Sequence, residues 1–180
     1  MNAIATGKLV SLSEQQLVDC SKSYGNLGCN GGLMDDAFKY VKDHGITTES
    51  AYPYTGKGGS CESFTVEVKN TGFTDVAANS PSQMEAAVQK GPVSVAIEAD
   101  KMVFQLYTGG VINSSSCGTN LDHGVLVVGY GTDAKDGDYW KLKNSWGTSW
   151  GEKGFFRLAR TDKSGPGICG LLEEPSYPTV

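Results

Sequence analysis

Apolar residues recur at helical spacing in the first third of the chain and at alternate positions over most of the remainder. Met34, Ala37, Phe38 and Val41 follow an i, i+3, i+4, i+7 pattern, and Gly45 stands where a helix-ending glycine belongs. Upstream, Ser13 with Gln16 three residues on, before Leu17 and Val18, has the form of a capping box. A further helix is predicted to open at Ser80-Pro81, with proline at its first position, and to close at Gly91-Pro92. Residues 46–72, with Tyr52-Pro53-Tyr54 and Gly56-Lys57-Gly58-Gly59, read as loop. The period then falls to two. Val93, Val95 and Ile97 alternate with smaller residues, residues 138–143 and 154–160 alternate again, and Val125-Leu126-Val127-Val128 reads as a buried strand. Turn signals lie at Gly109-Gly110, Gly129–Gly131 and Asp136-Gly137. Helices followed by an antiparallel sheet predict an α+β fold of two unlike halves, with a boundary near residues 72–80.

Composition narrows the function classes. A chain of 180 residues holds one domain or two small ones and can bury a sizeable core. Its net charge of −5, without any basic run, argues against a nucleic-acid partner. No apolar stretch approaches the roughly 20 residues that span a bilayer. Met1 opens directly onto Asn2-Ala3-Ile4, without a basic segment or an apolar core, so no signal peptide is expected in this chain. The cysteines pull the other way. Five are dispersed at Cys20, Cys29, Cys61, Cys117 and Cys169, and a sequon stands at Asn113-Ser114-Ser115. Both features point to an oxidising compartment. The lack of a C-x-x-C pair and the presence of only two histidines argue against zinc, and no metal or cofactor is predicted. An odd cysteine count leaves a free thiol or a missing partner, and the chain reads as incomplete at its N-terminus.

Few residues stand out for chemistry. His123, in Leu121-Asp122-His123-Gly124 at the mouth of the apolar run, fits a loop histidine as readily as a catalytic one. His44, in a helix C-terminal turn, reads as structural. The stretch Lys143-Asn144-Ser145-Trp146-Gly147-Thr148-Ser149-Trp150-Gly151 crowds two tryptophans around an asparagine whose amide must find partners if buried. Gly147 to Gly151 matches G-x-S-x-G. A nucleophile elbow needs a helix after the serine and a histidine further on, and neither is expected here.

Taken together, these stretches resemble the papain-like cysteine peptidases, closest to the cathepsin L branch. The resemblance rests on Ser13-Glu14-Gln15 with Leu17-Val18-Asp19-Cys20, on Gly28-Cys29-Asn30-Gly31-Gly32, on Tyr52-Pro53-Tyr54, and on Gly91-Pro92-Val93-Ser94-Val95. It continues through Asp122-His123-Gly124, Val128-Gly129-Tyr130-Gly131, Lys143-Asn144-Ser145-Trp146-Gly147 with Trp150-Gly151, and Cys169-Gly170 to Tyr177-Pro178. The pieces occur in the family's order over essentially the whole chain. The resemblance implies peptide-bond hydrolysis by Cys-His-Asn chemistry. His123 would be the acid/base, Asn144 would orient it, and Trp146 would shield their contact. It implies the bridges Cys20–Cys61 and Cys117–Cys169, with Cys29 left as a free thiol. It also implies the papain-like two-domain fold with a cleft between the halves. Residues 1–75 would be the remnant of the helical left domain, 76–176 the β-barrel-like right domain, and 177–180 a tail returning to the left.

One departure matters. The family's nucleophile lies in a C-G-[SA]-C-[WY] motif, about 130–150 residues before the histidine and asparagine. That spacing puts it before Met1, and none of the five cysteines has such a context. The family's oxyanion-hole glutamine, the nucleophile's own amide and most of the central helix would be absent too, leaving a tail around Ile4 to Gly7. Burial lost with that helix is on the order of 10 kcal/mol, so the N-terminal half is expected to fold poorly alone and to expose an apolar patch. The chain as given is expected to be inactive. The other reading is a catalytically dead, peptide-binding protein. A serine in place of the missing nucleophile also stays open.

The family binds an extended peptide. By match, Gly31 and Gly32 offer backbone to it, and nothing at Gly32 would block a close approach. Leu33, Met34, Ala96, Leu121, Asp122 and Gly124 would line the substrate site, with Glu174 at the pocket floor, where a carboxylate would admit Arg. Glu174 beside Glu173 also fits a plain exposed charge. Expected partners are peptides or proteins, cystatin-type inhibitors and the chain's own propeptide, with no nucleic acid and no membrane. The expected state is a monomer, lysosomal or extracellular.

Overall fold

The computed structural model describes residues 1–180 and divides into two compact units, Met1–Thr74 with Pro178–Val180, and Asp75–Tyr177.

The first unit is helical and held largely by polar groups. It contains α1 (Asn2–Thr6), α2 (Glu14–Cys20) and α3 (Met34–His44). Gly45 ends α3 at φ 76°, a left-handed value that favours glycine. Ser13 caps α2 by accepting the Gln16 N–H at 3.0 Å. The other half of the expected capping box does not form. The Gln16 side chain turns inward instead, donating to Tyr40 Oη and the Gly45 carbonyl at 2.9 Å each and accepting the Thr47 N–H at 2.8 Å. The Ser13 N–H that the box would satisfy is already donated to the Thr47 carbonyl at 3.0 Å, which leaves the Gln16 side chain for its three buried partners. Only Tyr40, Ile46 and Tyr52 are buried apolar residues in this unit, beside buried Ser13, Gln15, Gln16, Ser21, Asn26, Thr47 and Asn70. α1 buries nothing, and Leu9 is 89% exposed. Cys20 is joined to Cys61, and Cys29 is free and exposed. The second histidine, His44, bonds Tyr24 Oη at 3.0 Å and stacks on Tyr40.

The second unit is a sheet with a dense apolar core. β1 (Gly72–Asp75) carries the chain out of the first unit, to which all of it but Asp75 belongs, and α4 (Pro81–Val88) follows, with Pro81 in the first turn after Ser80. Then come β2 (Val93–Ile97), α5 (Met102–Gln105), β3 (Val111–Ile112), β4 (His123–Asp133), β5 (Gly137–Lys143), β6 (Phe155–Ala159) and β7 (Ser176–Thr179), whose last two residues belong again to the first unit. The strand order is β1-β7-β2-β4-β5-β6-β3. Val93, Val95 and Ile97 point inward, fully buried, against Phe104, Trp140, Phe156 and Leu158. At about 1.5–3 kcal/mol per large apolar side chain, this cluster is the main source of stability. Cys117–Cys169 lies within it.

Three sequence expectations are corrected here. The sheet is mixed, because β3 runs parallel to β6. Gly129–Gly131 is no turn. It lies inside β4, where the register shifts between Val127 and Gly129, and the turn comes instead between Asp133 and Gly137. A bulge and a turn draw on the same glycines, so sequence does not separate them. Finally, Val125–Val128 is not buried on both faces: Val125 and Val127 are buried, while Leu126 and Val128 are half-buried.

On β6, Arg157 donates to Glu152 Oε1 at 2.7 Å and to Asp133 Oδ2 at 2.8 Å. The Arg157 hydrogen bond, followed by the Lys135 and Asp136 N–H groups, lowers the Asp133 carboxyl to about 2. The same guanidinium holds Glu152 below its ordinary value. Carboxylates depressed in the folded state contribute stability above their unfolded pKa, and that stability is lost as pH falls through the folded value. The second unit is therefore expected to keep its Arg157-dependent stability down to about pH 4 and to lose it toward pH 2. Arg157→Met is expected to move the acid-unfolding midpoint upward in a circular-dichroism titration. An unchanged midpoint would remove the network from the account.

Candidate active site

His123 is the first residue of β4 and pairs with Ile97 on β2. Asn144 directly follows β5 and is anchored by its N–H to the Gly154 carbonyl at 2.9 Å. Two adjacent strands thus bring the side chains together, with His123 Nε2 at 2.8 Å from Asn144 Oδ1. The same Oδ1 accepts the Ser145 backbone N–H at 2.8 Å. A backbone N–H can only donate, so this atom is the amide oxygen. Nε2 must then carry the proton, and the neutral ring presents Nδ1 as its base. Asn144 is buried, and its Nδ2 donates to no group of the chain. The Trp146 ring lies 5.1 Å from the His123 ring, centroid to centroid, and packs edgewise on Phe104 at 5.4 Å. Trp146 is still 39% exposed, so it covers one face of the histidine and meets solvent on its other side.

The segment leading into His123 is clamped from the end of β2, and sequence reading missed the clamp. Glu98 is 1% exposed. Its carboxylate accepts the Asn120 N–H at 2.5 Å and pairs with Lys101 at 2.7 Å. The Lys101 bond, then the Asn120 N–H, holds that carboxyl below its usual range. Gly118, at φ 76°, leaves no space for a side chain, because a Cβ there would run into the Glu98 carboxylate. Asp122 adds two bonds, its N–H to the Ile97 carbonyl at 3.0 Å and its Oδ1 from the Ala99 N–H at 2.8 Å. Within Ile97-Glu98-Ala99-Asp100-Lys101 the glutamate looks like an ordinary surface charge. The only sequence hint is the glycine twenty residues on, whose role appears once the fold joins them.

The remaining candidates divide by unit. Ala96 and Gly124 are paired across β2 and β4, and no atom comes near the position of a Cβ on Gly124. Leu121 is half-buried. Glu174 is exposed. In the first unit, Gly31, Gly32 and Leu33 are exposed and Met34 begins α3. Gly32 has a reason internal to the fold, since a Cβ there would run into the Asn26 side-chain oxygen, which accepts the Leu33 N–H at 2.9 Å. This reason stands beside the one the resemblance implies, close approach of a peptide backbone. A cleft of about 260 Å3 in the first unit, around Gln15, Asp19, Tyr52 and Thr55, contains none of the candidate site residues. No group of three metal-ligating side chains is present, and no helix is long and apolar enough to cross a membrane.

Comparisons agree on one family. A family model described as papain family cysteine protease matches residues 1–179. Cathepsin L of Sarcophaga peregrina is 55% identical over 179 residues, covering 97% of this chain and 52% of the relative. Cathepsin L1 of Drosophila melanogaster is 53% identical, covering 97% of this chain and 48% of the relative. The chain spans about half the length of the curated relatives it matches. Among solved structures, the bromelain protease of Ananas comosus in complex with the E64 inhibitor superposes with a TM-score of 0.92 at 40% identity, over 99% of this chain and 82% of that one. Digestive procathepsin L 3 of Tenebrio molitor larval midgut gives 0.90 at 47% identity, over 99% and 58%.

Proposed function

The chain belongs to the papain family of cysteine proteases, and we propose that residues 1–180 carry the acid–base half of a cathepsin L-like endopeptidase. The observation that carries this reading is the His123–Asn144 pair, with the proton fixed on Nε2 and Nδ1 left as the base. In the proposed reaction Nδ1 takes the proton of a cysteine thiol. The thiolate attacks the scissile carbonyl, an S–C bond forms, and the C–N bond breaks as the imidazolium returns the proton to the leaving amine. Water then cleaves the thioester with His123 again as base. Asn144 positions the ring throughout, and Trp146 keeps water from one face of the pair, which strengthens the hydrogen bond.

The nucleophile is proposed to come from outside these residues. Four of the five cysteines are in disulfides, and Cys29 lacks the family's nucleophile context. Gly31, Gly32, Leu33 and Met34 in the first unit are proposed to contact the peptide, as are Ala96, Leu121, Asp122 and Gly124 in the second. Glu174 is proposed as a selector for basic side chains. The full protein's partners would be peptide substrates and its own propeptide, a reading supported by relatives whose structures are proforms. Two disulfides fit a lysosomal or extracellular setting.

Purified residues 1–180 are expected to show no peptide hydrolysis above a His123→Ala control in a fluorogenic peptide assay. Turnover that the control lacks would mean that a residue of this chain serves as nucleophile, and the assignment would fall.

A further inference from the structure

We propose that Asn113 is an N-glycosylation site at the open edge of the second unit's sheet. The chain has eight asparagines, and only Asn113 is followed two residues later by a hydroxyl. The structure makes that position accessible. Asn113 and Ser115 are exposed, and neither side chain is hydrogen-bonded within the chain, whereas Ser114 Oγ accepts the Ser116 N–H at 3.2 Å. Asn113 and Ser114 lie in irregular backbone after β3, and Ser115 opens a 3₁₀ turn at Ser115–Cys117. Cys117, four residues on, is bridged to Cys169, so this segment matures under the oxidising conditions in which oligosaccharides are transferred.

Position in the sheet gives the modification a role. β3 is the last strand in the order and pairs only with β6. Its outer side is an unpaired edge, the kind of surface at which a second chain adds. A glycan one residue beyond Ile112 would cover that edge. It would also leave the histidine end of the sheet clear. Ile112 pairs with Leu158, so Asn113 continues toward the end where Ala159 meets Tyr139. Asn144 follows Lys143, which pairs with Phe155 at the opposite end.

The transfer joins Asn113 Nδ2 to the anomeric carbon of an oligosaccharide carried on a polyprenyl diphosphate. The new C–N bond replaces the sugar's C–O bond, the diphosphate leaves with that electron pair, and the amide proton passes to a base of the transferase. The inference is independent of the peptidase reading.

The test sends the full chain through the secretory pathway of a eukaryotic cell behind an added leader. The folded product is then treated with peptide N-glycanase and its mass measured. One mass step should be lost, with Asn113 converted to Asp. That step should be absent in Asn113→Gln and Ser115→Ala, and present in Ser114→Ala, which keeps the sequon but removes the bond to Ser116. An unmodified Asn113 in product with both disulfides formed would overturn the proposal. A mass step that survives Asn113→Gln would do the same.

Discussion

Joined to the nucleophile-bearing segment of a relative such as the Sarcophaga peregrina cathepsin L, the chain is expected to hydrolyse peptides, and His123→Ala is expected to lower that rate by about 10²–10⁴-fold. The magnitude follows from what the ring does. Without Nδ1, nothing positioned takes the thiol proton or returns one to the leaving amine. The loss should fall on kcat, with KM little changed, because the proton transfers occur in the transition state. Asn144→Ala should cost less. It keeps the base but frees the ring to rotate and to place its proton on either nitrogen. Steady-state kinetics on a folded joined protein decide the matter. Equal rates with and without His123 would remove the histidine from the mechanism, and a purely structural role for Asn144 would leave the pH profile unmoved in its variant.

Replacing Cys117 and Cys169 together by serine is expected to destabilise the second unit by about 4 kcal/mol and to lower its melting temperature by roughly 15–20 °C. The bridge closes a 52-residue loop, and the chain-entropy model gives a value of that size for such a loop. Cys117 is 0% and Cys169 1% exposed, so the substitution also puts two hydroxyls into an apolar core. The bridge reaches the site as well: the Cys169 carbonyl accepts the Glu98 N–H at 2.9 Å, and Glu98 in turn holds Asn120 in the segment leading to His123. Cys20–Cys61 should behave differently. Cys61 is exposed, so mild reductant should open that bridge first. Calorimetry of the double variant checks the estimate, and an unchanged melting temperature would contradict it.

How much of this could be read from residues alone depended on the range of the interaction. The helix of Met34 to His44 and the strand of Val93 to Ile97 were legible because one buried face imposes a local period. Gly129–Gly131 was not, since a glycine serves a bulge inside a strand as well as a turn between strands. The parallel pairing of β3 with β6 joins residues more than forty positions apart and leaves no mark on a two-residue strand. His123 and Asn144 stood out through motifs, and the turn signal at Asp136-Gly137 pointed to the hairpin of β4 and β5, while the 2.8 Å contact depends on a register that no local pattern specifies. Glu98 was invisible for the same reason, because a buried charge is identified by distant partners. Gly32 carried a signal with two explanations, and the fold supplies the internal one through Asn26.

The measurement that tests the central claim most directly is the attachment site of a thiol-directed peptidase label on protein isolated from its source through the C-terminal segment. The account predicts one labelled cysteine, in sequence outside residues 1–180, and no label on Cys29. A label on Cys29, or none on native protein in which His123 and Asn144 are intact, would contradict it.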